Sequence, residues 1–488
     1  MIGLDSANRG HVRSALHRLP SLRRIFESGA HFDLASSANV LDASAWPTFY
    51  TASLPGEHGM YHPMQWDPGA MRMRRLGAGW FYAEPFWYTL ARQGVPVVSL
   101  DVPMVLPADM AGGVEVRNWS TQENTSPLDT SPPELAREVV RRFGAYPQGR
   151  DVPIAHSAAQ AEALRRLLVR TVPRRTQLWL WLLQQREWRF AINVFAECHR
   201  GGHNLWPDAS VDGPGAALLD VYEAIDRSIG EMLAAVDLRC TTVVLFSAHG
   251  MRANTSQSHL LQRIMDRVNA TFWQSLGRQP NGGSGSILRR LRETLPPAVQ
   301  LAITRSAPHA VRDWVVDRAQ RKGLDWSMTP ALALVCGQTG LIRLNLAGRE
   351  KEGWLTRGDE LYGRYVAWLR ESLLELRAAD SGAPLVADVE TVHDAFPGPR
   401  SGYLPDVAVR WTDLPPVMAV HSRRLGTIHA RFGTGRPGNH SAEAFAVVVA
   451  SAEHAAAFDG ITRTADLAGA VFRCLAPQAQ GRFSRQLH

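Results

Sequence analysis

Lysine is almost missing from this chain: among 53 lysines and arginines, Lys322 and Lys351 are the only lysines. The formal net charge is still +7, so arginine carries the basicity, and it is scattered among acids rather than gathered into one basic run. Nucleic-acid readers show such a run or a recognisable motif, and neither is present. An anionic small molecule suits the charge instead. Cysteine is scarce as well. Cys198, Cys240, Cys336 and Cys474 stand far apart with no metal-type spacing, which excludes a disulfide scaffold and a thiolate zinc site. No apolar run reaches the roughly 18 residues of a membrane span. The first residues enter a strand at once, without the basic and apolar regions of a signal peptide. A reducing, cytoplasmic setting without membrane attachment is therefore expected. No internal repeat is evident.

What is present is an ordinary globular composition in a long chain: 488 residues, 45% hydrophobic and 20% charged. Apolar runs that read as buried strands, Ile2–Leu4, Val95–Leu100, Phe190–Phe195, Thr241–Phe246 and Phe445–Ala450, alternate with helical patterns. The helical stretches are 12–28 (split at Pro20), 86–93, 157–186 and 216–235. This alternation predicts an α/β fold, a mostly parallel central sheet with helices on both faces. Residues 104–150 are rich in Pro, Gly, Ser and Thr and read as long loops. The pattern breaks between 253 and 335, where Gln279-Pro280-Asn281-Gly282-Gly283-Ser284-Gly285 signals a flexible linker between arginine-rich helices. The expected organisation is a core in two parts, 1–252 and 336–488, around a helical insertion or cap at 253–335. Leu341–Leu346 and 405–411 are read as further strands of that core.

The most informative stretch follows the strand Phe190–Phe195: Glu197-Cys198-His199-Arg200-Gly201-Gly202-His203-Asn204-Leu205-Trp206. It sets two histidines four residues apart with Gly-Gly between them. Taken alone the stretch shows no helix pattern, and the histidines read either as packing residues or as ligands presented at a strand's carboxyl end. Other strand ends carry metal-type side chains too. Asp5 ends the first strand, Asp42 opens a helix, His249 follows the strand at 241–246, and His440 precedes the last strand. In a parallel sheet the carboxyl ends share one edge, so residues 200 positions apart can meet in one crevice.

Several motifs occur in order along the chain: Ile2-Gly3-Leu4-Asp5, Ala45-Trp46-Pro47-Thr48, and Thr51-Ala-Ser-Leu-Pro55-Gly56-Glu57-His58-Gly59. They continue with Glu197-x-His199-x-x-x-His203-x-x-Trp206, Ser247-Ala248-His249-Gly250, Gly340 to Glu350, and Gly438-Asn439-His440. Together they resemble the alkaline phosphatase superfamily, and in particular its type I phosphodiesterase/nucleotide pyrophosphatase branch. The resemblance implies a metal-dependent hydrolase of phosphate mono- or diesters, with one or two divalent cations, zinc foremost and manganese as an alternative. One site would be His199, His203 and His440. The other would be Asp5, His249 and the residue at the nucleophile position.

That position, four residues before Trp46 and sixteen before His58, holds Asp42 rather than the family's Thr or Ser. The usual Ser-Asp-His-Gly reads Ser247-Ala248-His249-Gly250, and the usual Asp four residues before a ligand histidine is His199. Asp42 can serve as a nucleophile, as a ligand and general base, or as a helix cap. Ser44 is the reserve nucleophile. These departures keep two other readings open. One is a retooled member doing sulfate-ester cleavage, group transfer or a biosynthetic step; the other is an inactive binding protein. No cysteine lies near position 42, which disfavours formylglycine-type sulfatase chemistry. Glu197 reads equally as a residue orienting a ligand histidine or as a solvated acid. Asp101 and Asp406 read as caps or turn residues, and His58 as packing behind the site.

Overall fold

The computed structural model describes residues 1–81, 83–121, 127–149, 157–206, 216–278, 325–334, 336–337, 339–430, 433 and 435–475. The chain divides into two compact units. One comprises 1–58, 76–254 and 435–488; the other comprises 59–75 and 255–434.

The first unit is built on an eight-stranded sheet. Its strands lie in the order Ala30–Leu34, Ala444–Val449, Val243–Ser247, Ile2–Leu4, Phe190–Phe195, Val97–Leu100, Gly113–Arg117 and Asp129–Ser131. The five strands from Val243–Ser247 to Gly113–Arg117 are parallel to their neighbours. Antiparallel pairs close both edges. The central strands are short and buried on both faces (Ile2–Leu4, Phe190–Phe195 and Val243–Ser247 throughout), as a sheet covered by helices on either side requires. One face carries the helices Pro20–Ser28, Ala158–Gln185 and Ala216–Ala234, whose Leu22, Leu168, Val172, Leu219 and Ile225 join the strand side chains in one core. The other face carries Ala45–Thr51, Phe86–Arg92 and Asp466–Leu475, locked by edge-to-face rings: Phe49 on Phe86, and Phe86 on Phe190.

The second unit holds a four-stranded antiparallel sheet, Ala331–Leu334, Gly340–Leu344, Val407–Trp411 and Val386–Thr391 in spatial order. The helices Ser258–Ser275 and Glu360–Leu374 pack on it through Ile264, Val268, Leu369 and Leu373. This corrects the expected boundaries. The strands at 340–344 and 407–411 belong to this separate sheet, and of the expected second core segment 336–488 only the part from 435 joins the first unit. Alternation of apolar residues marks a strand but does not say which sheet takes it. Of the expected insertion 253–335, residues 279–324, with the linker at 279–285, lie outside the described residues. So does the tail after Leu475.

Two local readings are also corrected. The stretch 104–150 contains the strands Gly113–Arg117 and Asp129–Ser131 and the helix Leu135–Phe143. The strand Gly113-Val-Glu-Val-Arg117 buries its charges together: Glu115 accepts from Trp87 Nε1 at 3.0 Å and from Tyr88 Oη at 2.5 Å, and pairs with Arg117. Paired in this way, charged residues can sit in a buried strand. The second correction concerns the two-histidine stretch, which is a helix, Glu197–Leu205.

Candidate metal centre

Helical structure across Gly201-Gly202 goes against the residues' own preference, and packing explains it. A Cβ at Gly201 would lie 2.9 Å from Leu218 Cδ1, and one at Gly202 would lie 2.8 Å from Met251 Cγ. A Cβ at Gly438 would meet the Gly202 carbonyl oxygen at 1.9 Å. The helix is thus pressed between Ala216–Ala234 and the strand Gly438–Ser441 so closely that only glycine fits. With 3.6 residues per turn, His199 and His203 then share one face.

The other elements arrive at the same edge of the sheet. Asp5 ends Ile2–Leu4 and continues its ladder, donating its N–H to the Phe195 carbonyl at 3.1 Å. Ser6 follows in the left-handed region at φ 61°, which brings its Oγ to 3.1 Å from His249 Nε2. Ser247 Oγ donates to the Leu4 carbonyl at 2.6 Å and so ties the two strand ends together. His440 comes before strand Ala444–Val449, yet reaches the same edge because that strand runs antiparallel to its neighbour. Its segment Gly438–Ser441 pairs with Gly250–Ala253, with Met251 opposite His440.

Three imidazoles converge. His199 Nε2 lies 3.1 Å from His203 Nε2 and 2.9 Å from His440 Nε2, and the ring centroids of His203 and His440 are 4.7 Å apart. The opposite ring nitrogens set the tautomers. His199 Nδ1 donates to Asp5 Oδ2 at 2.7 Å, and His203 Nδ1 donates to the Gly438 carbonyl at 3.0 Å. Each of these two rings therefore carries its proton outward and turns a lone pair inward. Two facing lone pairs at 3.1 Å repel unless a cation or proton sits between them. Around a four-coordinate zinc ion with Zn–N of about 2.0–2.1 Å, nitrogens are about 3.3–3.4 Å apart. Burial first, then neighbouring basic side chains, holds His199 and His203 well below the ordinary imidazole pKa; the neighbours are His440, Arg436 and Arg200 for His199, and Arg436, His440 and His199 for His203. Neutral imidazole is the form that binds metal. These three residues fit a divalent cation.

Asp5, Asp42 and His249 do not come together in the same way. Among the described residues, His199, His203 and His440 form the one group of three whose ligand atoms all lie within 4.8 Å. Both oxygens of Asp5 are engaged, Oδ1 by Trp46 Nε1 at 2.8 Å and Oδ2 by His199. Asp42, buried at the start of the short 3-10 helix Asp42–Ser44, accepts the Ala43 N–H on Oδ1 at 2.8 Å. Its Oδ2 lies 3.5 Å from His440 Nδ1. His249 is held down to about 3 by burial first and by the neighbouring His440, and its Nδ1 has no hydrogen-bond partner. Ser44 is fully buried, with Oγ 2.6 Å from the Leu41 carbonyl and 2.7 Å from Ser37 Oγ.

Several supporting residues escaped the sequence reading. Trp46 stood inside a motif, but nothing marked its indole as the donor to Asp5. Glu197 is neither solvated nor bonded to a histidine. It is buried, accepts from Gln148 Nε2 at 2.7 Å, and pairs with Arg175 Nε at 3.1 Å. Arg175 in turn pairs with Asp101, which accepts the Trp119 and Ser120 N–H groups, as a turn residue does. This network anchors the first turn of the histidine helix. His58 faces Thr48 Oγ1 at 3.2 Å, and Asp406 accepts the Leu344 N–H and pairs with Arg349 in the second unit.

No curated protein sequence matches this chain. Its fold is similar to that of phosphonoacetate hydrolase from Sinorhizobium meliloti 1021 in complex with phosphonoacetate, at 14% identity and a TM-score of 0.50, covering 97% of this chain and 95% of that one. Human ectonucleotide pyrophosphatase/phosphodiesterase 5 aligns at 14% identity and a TM-score of 0.49, covering 97% and 93%. The murine protein of the same description aligns at 11% and 0.49, covering 97% and 94%. The family model described as type I phosphodiesterase/nucleotide pyrophosphatase matches residues 1–313, a range that contains Asp5, Asp42, His199, His203 and His249, while His440 lies beyond it. The chain belongs to the type I phosphodiesterase/nucleotide pyrophosphatase family of the alkaline phosphatase superfamily, and is an enzyme of its phosphoester-hydrolase kind.

Proposed function

We propose that this enzyme is a divalent-metal-dependent hydrolase of small anionic phosphate mono- or diesters, with zinc as the foremost cation. The single observation that carries this reading is the inward convergence of Nε2 from His199, His203 and His440. Such a cation, when bound, polarises a phosphoryl oxygen and lowers the pKa of bound water. The chain's own residues do the rest. Asp5 and the Gly438 carbonyl fix the tautomers of His199 and His203, and the Arg436 charge that acts on both histidines favours an anionic substrate.

Position 42 offers a carboxylate and no hydroxyl, so no phosphoseryl or phosphothreonyl intermediate forms there. Ser44 supports none either, with its Oγ turned to Leu41 and Ser37. With Asp42 Oδ1 held by the Ala43 N–H and Oδ2 turned towards His440, the carboxylate is assigned no attack on phosphorus, and hydrolysis is a single displacement: the water oxygen bonds to phosphorus, the ester P–O bond breaks, and the alcohol leaves with a proton from that water. The four cysteines are free thiols, which supports a reducing, cytoplasmic location; no described helix is long and apolar enough to cross a membrane.

The test is turnover of aryl phosphates, phosphodiesters, nucleotides and phosphonates by protein loaded with zinc or manganese. His203→Ala and His440→Ala are expected to abolish both metal retention and turnover. Absence of hydrolysis across that panel with every divalent metal would remove this reading.

A further inference from the structure

We infer that this chain holds one divalent cation rather than two, and that Asp5 and Asp42 serve as supports for ligand histidines, binding no metal themselves. The inference rests on the metal-dependent reading above.

The three converging histidines each have an oxygen behind them: Asp5 Oδ2 at 2.7 Å from His199 Nδ1, the Gly438 carbonyl at 3.0 Å from His203 Nδ1, and Asp42 Oδ2 at 3.5 Å from His440 Nδ1. The first two are hydrogen bonds. The third is longer than a hydrogen bond, and His440 Nδ1 makes none, so Asp42 stands behind that ring without bonding it. The first two are the bonds by which outer carboxylates and carbonyls orient metal-bound histidines, and the third sets a carboxylate at the corresponding place behind His440. A second cation would need Asp5, Asp42 and His249. Both Asp5 oxygens already accept a buried donor, Oδ1 from Trp46 Nε1 and Oδ2 from His199 Nδ1, so turning either to a cation would weaken a bond that positions the cluster. His249 Nε2 faces Ser6 Oγ, which leaves Nδ1 as its unused nitrogen. Position 248, between Ser247 and His249, is a buried alanine and supplies no donor. One imidazole and one carboxylate do not make a site, since a stable zinc site takes three or four protein ligands.

Asp42 and Asp5 are thus positioning residues, and the experiment reads metal alone, without substrate. Metal-free protein is titrated with Co2+, following its visible absorption, and with Zn2+ by calorimetry and elemental analysis. The expected result is saturation at one equivalent, with the intense absorption of four-coordinate cobalt. Asp42→Asn is expected to keep one equivalent while weakening affinity roughly 10–100-fold, as loss of an outer carboxylate does. His249→Ala is expected to keep one equivalent with affinity little changed, and His440→Ala to lose the high-affinity equivalent. Circular dichroism of each variant establishes that it is folded. Two equivalents of comparable affinity in the parent protein overturn the inference. Loss of one of two equivalents in Asp42→Asn or His249→Ala does so too, as does failure of the parent to bind metal. A protein that binds one equivalent yet cleaves no phosphate ester leaves this inference standing and removes the hydrolase reading. One that cleaves and binds two does the reverse.

Discussion

Asp5 holds two buried donors at once, His199 Nδ1 at 2.7 Å and Trp46 Nε1 at 2.8 Å. One carboxylate therefore joins three sequence-distant elements, the first strand, the helix after position 44 and the histidine helix. Burial raises its pKa, and the nearby His249, the Trp46 bond and His440 work the other way.

Replacing Asp5 by alanine leaves both donors buried without acceptors. Each such group costs roughly 1–3 kcal/mol, so Asp5→Ala is expected to lower the stability of the metal-free protein by roughly 2–6 kcal/mol in urea unfolding. Asp5→Asn retains one acceptor and should lose less than half of that. Equal midpoints for parent and Asp5→Ala would show that neither bond contributes.

The buried histidines set a pH dependence. His199 and His203 are held well below the unfolded imidazole value of 6.5, and His249 is held down to about 3, burial being the first cause in each. Below about pH 6.5 the unfolded chain takes up protons that the folded chain refuses, so folding stability falls as pH drops through this window toward 3. The slope is at most about 1.4 kcal/mol per pH unit for each histidine. Asp5, raised by burial, opposes part of one histidine's share at the acid end. Urea midpoints of metal-free protein between pH 7.5 and about 4.5 should fall steadily, and His249→Phe should flatten the slope.

Gly438 and Gly363 offer a paired test of packing. A Cβ at Gly438 meets the Gly202 carbonyl at 1.9 Å, so Gly438→Ala must force the strand away from the histidine helix. Such overpacking costs typically about 1–3 kcal/mol, and metal affinity should fall with it because the Gly438 carbonyl also fixes His203. Gly363 lies exposed in the helix Glu360–Leu374 with nothing within 4 Å of its Cβ. Gly363→Ala should stabilise by roughly 0.5–1 kcal/mol. Thermal and urea unfolding of both variants checks the signs.

Arg175 sits fully buried between Glu197 and Asp101. Removing it leaves two carboxylates uncompensated, so Arg175→Met is expected to cost roughly 3–5 kcal/mol. Because Glu197 begins the histidine helix, metal retention should weaken as well. Hydrogen exchange of residues 197–205 would show the helix loosening before the rest of the sheet.

The apolar runs by themselves determined the core strands Ile2–Leu4 and Phe190–Phe195 to the residue, and the long helices nearly so. Short, wholly apolar segments between helical patterns have few alternatives to a covered parallel sheet. The order of Asp5, Asp42, His199, His203, His249 and His440 along the chain was likewise open to reading, since residues at strand ends share an edge. Other things were decided only in three dimensions. Gly201-Gly202 weakens a helix locally, and the close approach of Leu218, Met251 and Gly438 makes a helix of it. The strands at 340–344 and 407–411 carry an ordinary strand pattern, and their antiparallel partners place them in another sheet. Above all, whether a carboxylate meets a cation or a histidine depends on a few ångströms set by packing. Asp5 turns to His199 and Trp46, whose helices press against the strand ends, and Asp42 lies behind His440, which the strand Gly438–Ser441 carries there. No spacing along the chain encodes that choice.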